Sequence, residues 1–188
     1  LDHQMARMKM EMVRYADDFV ILCESESEAQ RALETVKVWM EAAGLTLHPI
    51  KTRVVDASQP GGFDFLGYHF ERGRQGPREK SVNKLKEAIR AKTPRNCGHS
   101  LANVVANVNR TLQGWNAYFN HGTESVHRPL NGWVRQRIRA ILKRREKRRG
   151  VATGKDFNRW TIAFFERIGL HTLRVDPQRE LPIPEVGF

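Results

Sequence analysis

The chain has 188 residues, 40% of them hydrophobic, with 32 Lys+Arg against 21 Asp+Glu and a formal net charge of +11. That length and apolar fraction suit one ordinary domain or two small ones with a real core, and no apolar run approaches the ~20 residues of a membrane helix. The opening Leu1-Asp2-His3-Gln4 is not a basic region leading into an apolar stretch, so a soluble protein that is not secreted is expected.

Two cysteines, Cys23 and Cys97, are too few for a disulfide framework. Cys97-Gly98-His99 has no second ligand cluster, and structural zinc is not expected. The first residue is Leu rather than Met, which points to an excised expression segment or to the tail of a longer chain.

Charge is distributed unevenly. Residues 1–71 hold 7 basic and 12 acidic side chains, residues 72–149 hold 20 and 4, and residues 150–188 hold 5 and 5. A middle segment at +16 attracts polyanions, and release of counterions makes nucleic acid its natural partner. A solvated basic face without a ligand is the plainer alternative.

In chain order, Val13 to Cys23 places two short apolar runs around Ala16-Asp17-Asp18, the pattern of a β-hairpin with an acidic pair at its turn. Ser25 and Glu28 predict a capping box, and Ala29, Ala32, Leu33, Val36, Met40 and Ala43 predict a helix that stops at Gly44. A turn follows at His48-Pro49-Ile50-Lys51, then a short strand around Arg53-Val54-Val55. After Pro60-Gly61-Gly62 the bulky positions change phase near Gly67, which predicts a bulged strand over 63–70.

Beyond Gly76-Pro77 the pattern is helical. Ser81 is the expected cap of a helix carrying Val82, Leu85 and Ile89 and ending by Pro94. Ser100 caps a longer one with Leu101, Val104, Val105, Val108, Leu112, Trp115 and Phe119 on its stripe. Pro129 opens a third, with Leu130, Trp133, Val134, Ile138, Ile141 and Leu142 inward. Its other faces carry Arg135, Arg137, Arg139, Lys143, Arg144 and Arg145, and Lys147-Arg148-Arg149 runs on to Gly150. Trp115 and Trp133 are expected to pack in the core rather than stack on bases. A fourth helix is expected near Phe157 to Ile168, and a loosely ordered tail from Asp176.

Adjacent aspartates at a tight turn present carboxylates where Mg²⁺ can bridge to a substrate phosphate, as nucleotidyl transfer requires. The sequence around them identifies more. Tyr15-Ala16-Asp17-Asp18, with Val13-Arg14 before and Phe19-Val20-Ile21 after, resembles the Y-x-D-D motif of reverse transcriptases, in particular the group II intron reverse transcriptase/maturases. Gly44 to Thr52 resembles the following family motif, which leads to a Pro-x-Lys-Thr turn, and Phe65-Leu66-Gly67-Tyr68 resembles the primer-grip hairpin. Leu101 to Phe119, with Asn109-x-x-Leu112-x-Gly114-Trp115-x-x-Tyr118-Phe119, and Leu130 to Arg149 resemble the maturase-specific thumb region. Arg159-Trp160-x-x-Ala163-Phe164-Phe165 through Gly169-Leu170 is similar to the closing segment of one bacterial subgroup.

The resemblance implies an α+β protein: the C-terminal part of a reverse-transcriptase palm over 1–71, a basic all-α thumb/maturase domain over 72–150, and a C-terminal helix and tail over 151–188. It implies that Asp17 is a direct ligand of catalytic Mg²⁺ and that Asp18 supports it. Tyr15 and Ala16 would lie beside the primer terminus and incoming nucleotide, and Phe65, Leu66 and Gly67 would position the primer. Lys51 stands where a family lysine approaches the pyrophosphate leaving group, and equally reads as a turn lysine. Arg135, Arg139, Lys143, Arg144, Arg145, Lys147, Arg148 and Arg149 are the candidate RNA-binding residues. Implied partners are intron RNA, an RNA template with DNA primer, and dNTPs in the parent enzyme, in the bacterial cytoplasm and without a membrane.

In the family a third metal-binding Asp lies on an earlier strand, whereas only Leu1 to Met12 stand ahead of this hairpin. Leu1-Asp2 resembles the end of the helix leading into the hairpin. The expectation is therefore that the chain by itself does not polymerise. A non-catalytic RNA-binding splicing factor left by truncation is the alternative; a reverse transcriptase from another bacterial system fits the maturase-like thumb less well.

Overall fold

The computed structural model describes residues 1–150 and 152–176, which fall into two compact units, 1–73 and 74–176. The fold is α+β, as expected. The first unit comprises α1 (Asp2–Arg7), β1 (Glu11–Tyr15), β2 (Asp18–Leu22), α2 (Glu26–Ala42), β3 (Phe63–Phe65) and β4 (Tyr68–Glu71). The second comprises β5 (Arg74–Pro77), α3 (Glu79–Lys92), α4 (Leu101–Tyr118), α5 (His127–Arg145), α6 (Gly154–Arg159) and α7 (Ile162–Arg167). Among the described residues no helix is long and apolar enough to cross a membrane.

In the first unit β1 and β2 pair antiparallel, with Met12 opposite Ile21 and Arg14 opposite Phe19. Strand side chains alternate between faces, so Met12, Phe19 and Ile21 pack with Met5, Met10, Ala32 and Val36 from α1, its following turn and α2. Ser25 caps α2 by accepting from the Glu28 N–H at 3.2 Å. The reciprocal bond goes elsewhere than a capping box would send it: the Glu28 carboxylate accepts from the Glu24 N–H at 2.8 Å. Gly44, at φ +67, ends the helix in a Schellman motif, with Gly44 N–H on the Glu41 carbonyl and Leu45 N–H on that of Met40.

Two expectations here are corrected. Residues 53–55 form no strand, because no neighbouring strand meets their main chain. Residues 63–70 are not one bulged strand but the β3–β4 hairpin, with Phe65 opposite Tyr68 across Leu66-Gly67. Both turn residues have positive φ, 47° and 85°, the backbone of a type I′ turn, and reversal of the chain is what shifts the apolar phase.

The second unit is a helical core of Leu85, Ile89, Val104, Val105, Val108, Leu112, Leu130, Val134, Ile138 and Ile141, closed by Trp160, Phe165, Leu170 and Leu173. Each such fully buried Leu, Ile or Val contributes about 1.5–3 kcal/mol of transfer free energy. Trp115 and Trp133 pack against this core. Ser100 caps α4 through the Asn103 N–H. However, α3 starts two residues ahead of Ser81: the Ser81 and Val82 N–H groups already donate to the Arg78 carbonyl, which closes the first turn there.

Helix α5 starts at His127, two residues before Pro129, and ends at Arg145, ahead of the basic run. Lys147 takes the left-handed C′ position (φ 57) that glycine usually fills, and Arg148 N–H returns to the Lys143 carbonyl. The expected single helix over 157–168 is two, broken at Trp160-Thr161, where Thr161 caps α7 through the Phe164 N–H. The expected loose tail lies outside the described residues from 177 onward.

Candidate catalytic hairpin and nucleic-acid interface

The first site is built on the β1–β2 hairpin. Tyr15 and Asp18 are directly opposite across a loop of two residues, Ala16 and Asp17. That pairing puts Tyr15 and Asp18 side by side on the face turned away from α2, with Asp17 at the tip. All four residues are exposed, Tyr15 at 66%. Ala16 has φ 55, a left-handed conformation that costs an L-residue other than Gly, Asn or Asp about 1 kcal/mol. Arg14, on the opposite face from Tyr15, is held by Asp2 at 2.7 Å, which ties the hairpin to α1.

Two adjacent carboxylates fit one ion of Mg²⁺ type, which takes one or two protein carboxylates and fills its remaining positions with water and phosphate oxygens. Among the described residues no third Asp, Glu, His or Cys joins them in a group able to hold a metal ion. Lys51 lies exposed in the 49–51 turn, which Thr52 N–H closes on the His48 carbonyl at 3.0 Å. Among the described residues no ion pair joins Lys51 to either aspartate. Phe65, Leu66 and Gly67 sit half-buried at the tip of the β3–β4 hairpin, where Phe63 stacks on Phe70 with ring centroids 5.2 Å apart. Gly62 is required beneath it: a Cβ there would come 2.0 Å from the Phe70 carbonyl oxygen.

In the second unit the basic residues of α5 divide by partner. Arg139 and Lys143, expected on the RNA-facing surface, are instead buried, at 5% and 6% exposure. The Arg139 guanidinium donates from Nε and Nη2 to the Trp160 carbonyl and lies over the Phe157 and Phe165 rings at 4.6 and 4.9 Å. Lys143 meets Asp156 at 3.3 Å. Arg148 is likewise committed, to Asp156 at 2.6 Å and Glu146 at 2.9 Å, with Trp160 5.6 Å beneath it. The break between α6 and α7 frees a carbonyl, and the capping box of Thr153 and Asp156 presents a buried carboxylate; together they bury two cations, Arg139 and Lys143, and engage a third, the half-exposed Arg148.

Arg135 is half-buried, and burial lowers its pKa while nearby Glu166 opposes the shift. Arg144, Arg145, Lys147 and Arg149 are exposed, Arg145 donating to the His99 carbonyl.

Three asparagines, of which the sequence singles out only Asn109 as part of the thumb-like pattern, prove structural. Asn109 and Asn131 each use the side-chain amide as a surrogate peptide. Asn109 donates to the Gly169 carbonyl (2.7 Å) and accepts from His171 N–H (2.8 Å), and Asn131 does both with Leu173 at 2.9 Å. Asn116 accepts from Arg174 N–H at 2.9 Å. The signal was the spacing: Asn109 and Asn116 are seven apart on α4, two helical turns, beside the apolar stripe.

Comparison with protein families gives two matches. Residues 1–70 match the family described as reverse transcriptase (RNA-dependent DNA polymerase), and residues 82–160 match the group II intron maturase-specific domain. Comparison with curated proteins gives no match. The first span lies within the unit that carries the Asp17–Asp18 hairpin, and the second within the basic helical unit. With those two segments in that order, the chain belongs to the group II intron reverse transcriptase/maturases.

Proposed function

We propose that this chain is the catalytic-hairpin and maturase portion of an RNA-directed DNA polymerase that also holds intron RNA for splicing and mobility. What supports the reading is the hairpin itself: Tyr15 opposite Asp18 sets two carboxylates at an exposed tip, in a chain whose next unit is strongly basic. Reverse transcriptases work with divalent metal, and Mg²⁺ suits this oxygen donor set, lowering the pKa of an attacking hydroxyl and stabilising the leaving oxygens. Asp17 is the direct ligand and Asp18 the supporting one. Tyr15 and Ala16 lie against the primer end and dNTP, Phe65 to Gly67 hold the primer strand, and Lys51 offers positive charge to the departing pyrophosphate. The exposed Arg144, Arg145, Lys147 and Arg149 contact RNA phosphates.

A second reading, a non-catalytic RNA-binding splicing factor, is favoured by the lack of a third metal-binding side chain beside the pair among the described residues. Primer extension on an RNA template with dNTPs and Mg²⁺ tests the catalytic part, and the 188-residue chain alone is expected to be inactive. Extension that disappears in Asp17→Ala would overturn that expectation and discard the second reading. Reading the source transcript upstream of Leu1 separates the two proposals in the parent: an in-frame Asp-bearing strand supports the polymerase.

A further inference from the structure

We propose that Arg90, Arg95 and Arg137 form a cradle for the sugar-phosphate backbone of RNA where α3 ends against α5. The inference rests on the RNA-binding function proposed above and assigns it a place. Trp133, Arg137 and Arg145 recur along one side of α5 at helical spacing, and each meets the 90–99 stretch. The Arg90 guanidinium lies 5.5 Å over the Trp133 ring. Arg137 donates to Thr93, with Nε on the hydroxyl at 3.1 Å and Nη2 on the carbonyl at 2.6 Å. Arg145 donates to the His99 carbonyl.

Arg137 is thus held rigidly by two of its five donors, and the others remain for a ligand. Burial lowers its pKa first, and the charges of Arg95 and Arg90 lower it further, so the three guanidiniums are within electrostatic reach of one another. Arg90 and Arg95 are exposed.

What sets this cluster apart is that Arg137 is held on Thr93 with the charges of Arg95 and Arg90 felt beside it, and among the described residues no anion answers them. Lys143, Arg148 and Arg159 in the same unit each have a carboxylate. Among the described residues, none of the three arginines here makes an ion pair. Like charges gathered without a counterion, Arg90 placed on Trp133 and Arg137 on Thr93, suit an anionic ligand, and planar guanidiniums match phosphate oxygens. The +16 balance of residues 72–149 favours an extended polyanion over a single small anion.

The test is binding of the full chain to a structured RNA over a range of salt. Arg90→Gln/Arg95→Gln is compared with Arg110→Gln/Lys155→Gln, which removes the same charge from exposed sites outside the cluster. The first pair is expected to weaken binding about tenfold and flatten the log–log salt slope by about 1.5, the second to do neither. Equal effects from both pairs would overturn the cradle, reducing it to diffuse attraction. Pyrophosphate titration, followed at the arginine Nε–H resonances, separates the cradle from the function on which it rests. If wild-type protein binds no RNA, the function proposed above fails; pyrophosphate shifts at Arg90, Arg95 and Arg137 would still support an anion site. Absence of those shifts would overturn it.

Discussion

Arg139 donates to the Trp160 main-chain carbonyl through both Nε, at 3.0 Å, and Nη2, at 2.6 Å. The carbonyl is available because the chain breaks between α6 and α7, so an interruption in one helix is satisfied from the middle of another. Arg139→Ala leaves this carbonyl unpaired and strips a cation from two rings. It is expected to cost about 2–3 kcal/mol in urea unfolding. Arg139→Lys is expected to recover little, since an ammonium cannot reproduce the planar two-donor fork.

Asp156 makes the second unit sensitive to acid. The Thr153 N–H lowers its pKa well below the usual carboxylate range, burial opposes, and Arg148, Lys143 and the Thr153 hydroxyl reinforce the lowering. A carboxyl with a depressed folded pKa contributes stability that is complete above its ordinary value of 3.8 and drains away as pH falls below it. Urea midpoints should therefore fall below about pH 4. Asp156→Asn should start from a lower midpoint and lose less over the same range.

Asn131 pairs with both main-chain groups of Leu173. Asn131→Asp keeps the acceptor and loses the donor, setting a carboxylate against the Leu173 carbonyl. A cost of about 1–3 kcal/mol is expected, with faster hydrogen exchange at Leu173 N–H.

The basic end of α5 separates by partner. Arg144→Ala/Lys147→Ala/Arg149→Ala should weaken RNA binding and leave the unfolding midpoint unchanged, because these side chains are exposed. Arg148→Ala should lower the midpoint, because its guanidinium answers Asp156 and Glu146. For the wild-type chain, about six neutralised phosphates give a log–log salt slope near −4 to −5.

The parts of the fold that were legible depend on local chemistry. The β1–β2 hairpin, the Ser25 and Ser100 caps and the Gly44 stop each follow from residues within a turn of one another. Residues 63–70 misled because a two-residue turn and a bulge both shift the apolar phase by one; only the partner strand distinguishes them. Arg139 and Lys143 resembled their exposed neighbours because what buries them, Trp160 and Asp156, is 21 and 13 residues away and depends on where a later helix breaks. The paired carboxylates of the β1–β2 hairpin were legible for the opposite reason, being adjacent in sequence. Any other group such a site needs comes from farther away.

The asparagine contacts to residues 169–174 also determine which changes that stretch tolerates over generations. An amide side chain reads only N–H and C=O, which every residue but proline carries in full. Arg174, which is exposed, is therefore open to drift in side-chain identity, whereas Leu170 and Leu173 are constrained by burial and His171 and Thr172 are half-buried. Proline at 171, 173 or 174 removes the very N–H that Asn109, Asn131 or Asn116 accepts from. A lineage can rewrite position 174 freely, so long as proline does not take it.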